Sequence, residues 1–151
     1  MKILLIYPPE FNMIRTNVPS VVDEETGSYP PIGLLYVASY VIENTDYEVE
    51  VIDTQAENLT YDQIEERIRK SSPDVVGIQT LTFTLCDAIL TAERVKKVNQ
   101  DIKVVLGGPH VFIYPEETVT IPEVDYIVLG EGERYFTELL RCIEKEETPS
   151  N

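Results

Sequence analysis

What most constrains this chain is a regular change of hydrophobic period along its length. Short, nearly continuous apolar runs rich in β-branched residues recur at 3–7, 49–52, 75–78, 104–106 and 126–129. Runs of this kind, without polar alternation, are expected of strands covered on both faces, as in a parallel sheet. Between them the period becomes helical. Leu34, Leu35, Ala38, Val41 and Ile42 form one stripe, and Leu85, Ala88, Ile89, Ala92 and Val95 form another. Thr60 and Gln63 have capping-box spacing ahead of Tyr61, Ile64 and Ile68, and Pro73 stops that helix before the third strand. Thr84 and Asp87 repeat the capping spacing. A shorter helix is expected from 115–117, and a last one carries Phe136, Leu139, Leu140 and Ile143 on one face. Five strands alternating with helices, joined by right-handed crossovers, predict an α/β fold: a flavodoxin-like, doubly wound parallel sheet of order 2-1-3-4-5 with helices on both faces.

A chain of 151 residues with 43% apolar content can build one continuous core without metal or disulfide staples. One domain is expected over 1–147, with 148–151 a polar tail. The 27 acidic and 12 basic side chains give a formal charge of −15, which repels a phosphate backbone, so nucleic acid is not expected as a partner. No apolar run approaches the length of a membrane span, and the opening residues enter a strand pattern at once, without the parts of a signal peptide. A cytoplasmic protein is the expectation. Cys86 and Cys142 are isolated in helical patterns, with neither a disulfide framework nor the paired spacing of a zinc site, and are expected to be buried thiols.

Ligands of an open parallel sheet bind beyond the carboxyl ends of its strands, near the point where strand order reverses. That rule selects four loops: Tyr7-Pro8-Pro9 after the first strand, Gln79-Thr80-Leu81-Thr82 after the third, Gly107-Gly108-Pro109-His110 after the fourth, and Gly130-Glu131-Gly132-Glu133 after the fifth. The connection over 8–31 is the long one, with five prolines and an acidic run, and connections of that length are usually functional or disordered. Gly107 and Gly108 either let a ligand approach the backbone closely or mark a plain turn. Thr80 and Thr82 could donate to a ligand or cap the following helix, capping being favoured for Thr82. Glu131 could meet a polar ligand, whereas Glu133 is accounted for by the dipole at a helix start. His110, the one histidine, could ligate a metal, move a proton, touch a cofactor or hold a turn. Gly130-Glu131-Gly132 is not a dinucleotide fingerprint, because Tyr135 stands where the third glycine belongs and the motif follows the last strand. No triad and no cluster of metal ligands is suggested, so no catalytic residue is assigned.

Taken together, Tyr7-Pro8-Pro9, the segment Tyr29-Pro30-Pro31-Ile32-Gly33-Leu34-Leu35-Tyr36, Val49-Glu50-Val51-Ile52-Asp53, Asp74-Val75-Val76-Gly77-Ile78, Gly107-Gly108-Pro109-His110 and Gly130-Glu131-Gly132-Glu133 carry a family resemblance over nearly the whole chain. The chain resembles the N-terminal cobalamin-binding domain of radical S-adenosylmethionine proteins. That resemblance implies a base-off cobalamin, its nucleotide tail beside the sheet at Thr80, Leu81, Thr82, Gly107 and Gly108, and its corrin over the carboxyl edge, facing the first loop. Nothing after the first strand reads Asp-x-His-x-x-Gly, so a histidine ligand to cobalt is not expected. The Cys-x3-Cys-x2-Cys segment that holds an iron–sulfur cluster is absent, so the 4Fe-4S cluster and S-adenosylmethionine belong to a downstream domain where one exists.

The resulting expectation is a module that positions cobalamin, as methyl carrier or for related chemistry, for a radical catalytic domain of the same polypeptide acting on a small-molecule substrate. Its alternative is a cofactor-free docking domain of the same fold. A flavin carrier is disfavoured because the prolines of the first loop make a poor phosphate cradle. A phospho-receiver is disfavoured because the third strand ends in Gln79-Thr80 and not in an aspartate.

Overall fold

A computed structural model describes residues 1–14 and 29–149. Five strands, β1 (Lys2–Tyr7), β2 (Glu48–Asp53), β3 (Val75–Gln79), β4 (Lys103–Gly107) and β5 (Tyr126–Val128), form one sheet of order β2-β1-β3-β4-β5. Every neighbouring pair is parallel. The helices are α1 (Ile32–Asn44), α2 (Tyr61–Ser71), α3 (Leu85–Val98), α4 (Pro109–Ile113), α5 (Pro115–Thr118) and α6 (Gly132–Glu144), with a 3-10 turn at Thr82–Thr84 leading into α3. The expected flavodoxin-like plan is therefore the observed one.

The sheet is continuous and largely apolar because it is covered twice, the edge strand β2 being the exception with Glu48 and Glu50. On one face Leu4, Ile6, Val76, Ile78, Val104 and Leu106 pack with Ile64 and Ile68 of α2 and with Ala88, Ala92 and Val95 of α3. On the other, Ile3, Leu5, Val75 and Val105 meet Leu34, Ala38 and Val41 of α1 and Phe136, Leu139 and Leu140 of α6. Successive strand residues alternate between these two cores, so both residue parities must be apolar. The capping box at Thr60 and Gln63 is formed in both directions, with Gln63 Oε1 2.8 Å from the Thr60 amide and Thr60 Oγ1 3.4 Å from the Gln63 amide. Beyond α2, Ser72 is left-handed and its amide bonds back to Ile68, so the helix has closed before Pro73.

Several expectations are corrected. The stripe on α1 narrows to Leu34, Ala38 and Val41, whereas Leu35 and Ile42 are exposed. Thr84 does not cap α3: its hydroxyl is buried without a partner among the described residues, and Asp87 bonds to other elements. Cys86 is an exposed free thiol and Cys142 a half-buried one, so neither is the core cysteine expected. Helix α4 follows Gly108 directly, where only a turn was foreseen, because Pro109 occupies its first position. The long connection is described only at 8–14 and 29–31, and Pro19, Asp23, Glu24 and Glu25 lie outside the described residues. Among the described residues no helix is long and apolar enough to cross a membrane.

Candidate functional site

Strand β1 has β2 on one side and β3 on the other, so the chain leaves the sheet in opposite directions at β1 and β3, and a crevice opens there. On the face covered by α1 and α6 this crevice deepens into a cleft of about 340 Å³. Its floor is Leu5, Gly77, Gln79, Val105, Gly107 and Val128; its roof is Gly33, Leu34 and Val37 of α1 with Gly132, Glu133 and Phe136 of α6. That volume lies near the lower end of the roughly 300–1,000 Å³ range of small-molecule sites, enough for a side arm of a large ligand.

Three glycines shape this gap, two by leaving space and one by letting a side chain close its inner end. A Cβ added at Gly107 would meet nothing nearer than Val128 Cβ at 3.9 Å, so a side chain there would project into the cleft. At Gly33 nothing lies within 4 Å. Gly77, one pleat repeat below Gln79, is different: its absent Cβ would stand 2.7 Å from Leu5 Cδ2 and 3.2 Å from Phe136 Cζ. This glycine lets Phe136 settle onto the sheet and form the inner end of the cleft.

The two loops chosen from the sequence meet at this rim. The Thr80 amide donates to the Gly107 carbonyl at 2.7 Å, and the His110 amide donates to the Thr80 carbonyl at 3.2 Å, continuing the parallel ladder beyond the strands. Gly108 has φ +112°, a value that side-chain-bearing residues rarely adopt, and a Cβ there would lie 3.0 Å from the Thr80 carbonyl oxygen. Thus Gly108 allows the loop to close on Thr80, while Gly107 leaves the open space. Gly108, Pro109, Gly130 and Gly132 also line the cleft.

Other residues picked out in sequence take different places. Thr80 is fully buried, with its hydroxyl 3.3 Å from the Ile78 carbonyl, so it contributes backbone to the rim and no free hydroxyl. Thr82 caps nothing; its hydroxyl lies 3.2 Å from His110 Nδ1. His110 is buried, its ring centroid 5.3 Å from that of Tyr114 with the two planes tilted by 38°. Leu81 is half-buried and Glu131 exposed, and neither borders the cleft. Pro8 and Pro9 are buried beside β1, where the Tyr7 carbonyl accepts the Thr54 hydroxyl at 2.7 Å and the Pro8 carbonyl accepts Gln55 Nε2 at 2.9 Å. Burial raises the Tyr7 phenol above its ordinary range, with Glu10 and Asp53 adding to the effect and Gln55 opposing it, so it stays a neutral hydroxyl.

Sequence reasoning missed Gly33, Val37, Gly77 and Phe136 as cleft residues, and it placed Gln79 in a candidate loop without giving it a role. It also set aside Glu133, which lines the cleft. Gln79 Oε1 is buried without a hydrogen-bond partner among the described residues, which singles it out on an otherwise apolar wall. Period-2 alternation held the signal, since it places Val75, Gly77 and Gln79 on one face. Among the described residues no group of three or more histidine, cysteine or acidic side chains could hold a metal ion.

An open parallel sheet with a ligand-sized, glycine-sided cleft at its switch point defines a flavodoxin-like binding domain. Within that class the chain belongs to the B12-binding domain family, whose model matches residues 19–140, and the cofactor that this family implies is cobalamin. An uncharacterized methyltransferase of Pyrococcus horikoshii is 42% identical over 146 residues, which cover 96% of this chain and 30% of that protein. The anaerobic magnesium-protoporphyrin IX monomethyl ester cyclase of Rubrivivax gelatinosus is 34% identical over 146 residues, covering 96% and 25%. The chain thus spans less than a third of the length of these relatives. Among solved structures, the cobalamin-dependent S-adenosylmethionine radical enzyme OxsB superposes with a TM-score of 0.62 at 20% identity, over 97% of this chain and 19% of that one. The RcsB response regulator of Salmonella typhimurium superposes at 0.64 with 10% identity, over 100% and 63%. At such identities both likenesses concern the fold alone.

Proposed function

We propose that this chain binds cobalamin with the nucleotide arm in the cleft between the sheet and helices α1 and α6, and with the corrin over the carboxyl rim. The observation that carries this reading is the open space beside Gly107, walled by Leu5, Val105, Val128 and Phe136: an apolar slot entered from the rim where the corrin would lie. Leu34 and Val37 would shield the arm from water, and Gly33 and Gly107 would let it lie against backbone. His110 is held between Thr82 and Tyr114, and no other histidine exists in the chain, which supports a corrinoid bound without a histidine ligand; an arm seated in the cleft would hold the cofactor's own base away from cobalt. When bound, cobalamin supplies cobalt–carbon chemistry such as the carriage of a methyl group. The chain's own residues orient the cofactor and keep its arm dry.

The working partner is proposed to be a radical S-adenosylmethionine domain of the same polypeptide, carrying the iron–sulfur cluster and acting on a small molecule. The greater length of the relatives supports it. Residues 1–147 are proposed as the binding unit, with Tyr7, Pro8 and Pro9 lying toward the corrin side and 148–151 as its polar end. A cytoplasmic setting fits two free cysteines that a reducing compartment keeps as thiols.

A cofactor-free docking domain is the second reading, favoured by exposed Phe83, Phe112 and Ile113 near the same rim. Titration with cobalamin followed by visible absorbance separates the two. The expected result is a shift to the spectrum of the base-displaced form, with cofactor retained through gel filtration. No spectral change and no retained cofactor would remove the first reading and leave the second.

A further inference from the structure

Among the described residues, Gln79 is the one polar side chain that lines the cleft apart from Glu133, and its hydrogen bonding is incomplete. Gln79 enters from the end of β3, its Oε1 buried and without a partner. Its register partner on β4 is Gly107, which has no side chain to answer it. A carboxamide offers an acceptor and two donors side by side, and a buried acceptor left unpaired is costly. An occupant that brings an N–H or O–H donor alongside this amide would relieve that cost.

Resting on the reading that the cleft takes the nucleotide arm of a corrinoid, we infer that Gln79 selects the base at the end of that arm and favours an aminopurine over dimethylbenzimidazole. A dimethylbenzimidazole linked to its ribose keeps one ring nitrogen, an acceptor, and carries no N–H. It can accept from Gln79 Nε2 but gives nothing to Oε1. An adenine base sets its amino donor beside ring N1, an acceptor, and that pair can meet both the oxygen and the nitrogen of a glutamine amide. It alone satisfies both ends of the amide. The surroundings agree: Val105, Val128 and Phe136 supply apolar walls for a flat ring, and no other cleft side chain apart from Glu133 competes for its polar edge.

The test compares three corrinoids on the purified protein by absorbance titration: cobalamin, the cobamide carrying adenine, and cobinamide, which lacks the nucleotide arm. The adenine cobamide is expected to bind on the order of tenfold more tightly than cobalamin, with cobinamide weakest. Gln79→Leu and Gln79→Met, with unchanged circular dichroism, should bring the two complete cobamides to equal affinity. Equal affinity in the unaltered protein, or a preference that persists in both variants, overturns the assignment of Gln79 while leaving cobalamin binding intact. Cobinamide binding as tightly as the complete cobamides would instead mean that the arm does not occupy the cleft, overturning both.

Discussion

Gln79 and Gly107 face each other across β3 and β4, one a polar side chain with an unpaired oxygen and the other no side chain at all. The empty position is what gives the cleft its width. A leucine at 107 would extend from a backbone whose nearest foreign atoms stand 3.9 and 4.0 Å from its Cβ, so the fold should accept it. Gly107→Leu is expected to melt within about 1 kcal/mol of the unaltered protein, while cobalamin affinity falls at least tenfold because the side chain occupies the ligand's space. Thermal denaturation and absorbance titration on the same sample check both halves, and a variant that keeps full affinity would place the arm elsewhere.

Gly77 should behave in the opposite way. Its Cβ would intrude on Leu5 and Phe136 in a closely packed region, where an added methyl displaces side chains from their rotamers at a cost of about 1–3 kcal/mol. Gly77→Ala is expected to lower the urea midpoint by a corresponding amount. Pairing it with Phe136→Leu, which vacates the ring, should recover part of the loss. If the alanine variant is as stable as the unaltered chain, the close approach of Phe136 to β3 is not a fixed contact.

The contrast between these glycines shows where the sequence was readable. Strands covered on both faces must be apolar at every position, so residues such as Val75, Val76, Val104 and Val105 announced the sheet and its order. A helix whose outer face also carries Leu35, Tyr36 and Ile42 offers no such certainty, and its buried stripe was drawn too wide. At the site, the Gly107-Gly108 pair marked the rim because a strand ends there. Gly33, Val37 and Phe136 are far from it in sequence and reach the cleft only through the packing of α1 and α6 on the sheet. Thr80, just past the end of β3, is buried and does not line the cleft, which strand-end position alone could not show.

Alkaline pH should expose one contact between distant parts of the chain. The Tyr47 hydroxyl donates to Glu144 at 2.6 Å, tying the entrance of β2 to the end of α6. Burial first, and then the neighbouring carboxylate, pushes this phenol up to about 12 from an ordinary value of 10.0. A group whose pKa is raised by folding contributes stability that is complete below its unfolded pKa and is lost as pH climbs through the folded one. The contribution of Tyr47 should therefore persist to about pH 10 and fade toward pH 12. Melting temperatures over that range should show Tyr47→Phe less stable at pH 8 but converging on the unaltered protein by pH 12; a constant difference would sink the assignment.

The last prediction concerns Asp87, a carboxylate with no exposed surface at the start of α3. Its oxygens accept the Asn12 amide at 3.0 and 3.2 Å, Asn12 Nδ2 at 3.1 Å and the Tyr61 hydroxyl, so one side chain joins the segment after β1 to α2 and α3. Burial, and then the bond to Asp87, raises the Tyr61 phenol, which keeps it a donor at every ordinary pH. The helix dipole favours the charge of Asp87 where it sits. Removing it leaves partly buried donors unpaired and frees the segment that leads into the corrin side of the proposed site. Asp87→Ala is expected to cost about 1.5–3 kcal/mol and Tyr61→Phe about 1 kcal/mol, with Asp87→Asn between wild type and alanine. Hydrogen exchange at the Asn12 amide discriminates this from a general loss of stability: it should accelerate in Asp87→Ala well beyond amides of β4, and equal acceleration at both places would deny Asp87 its role in holding the loop.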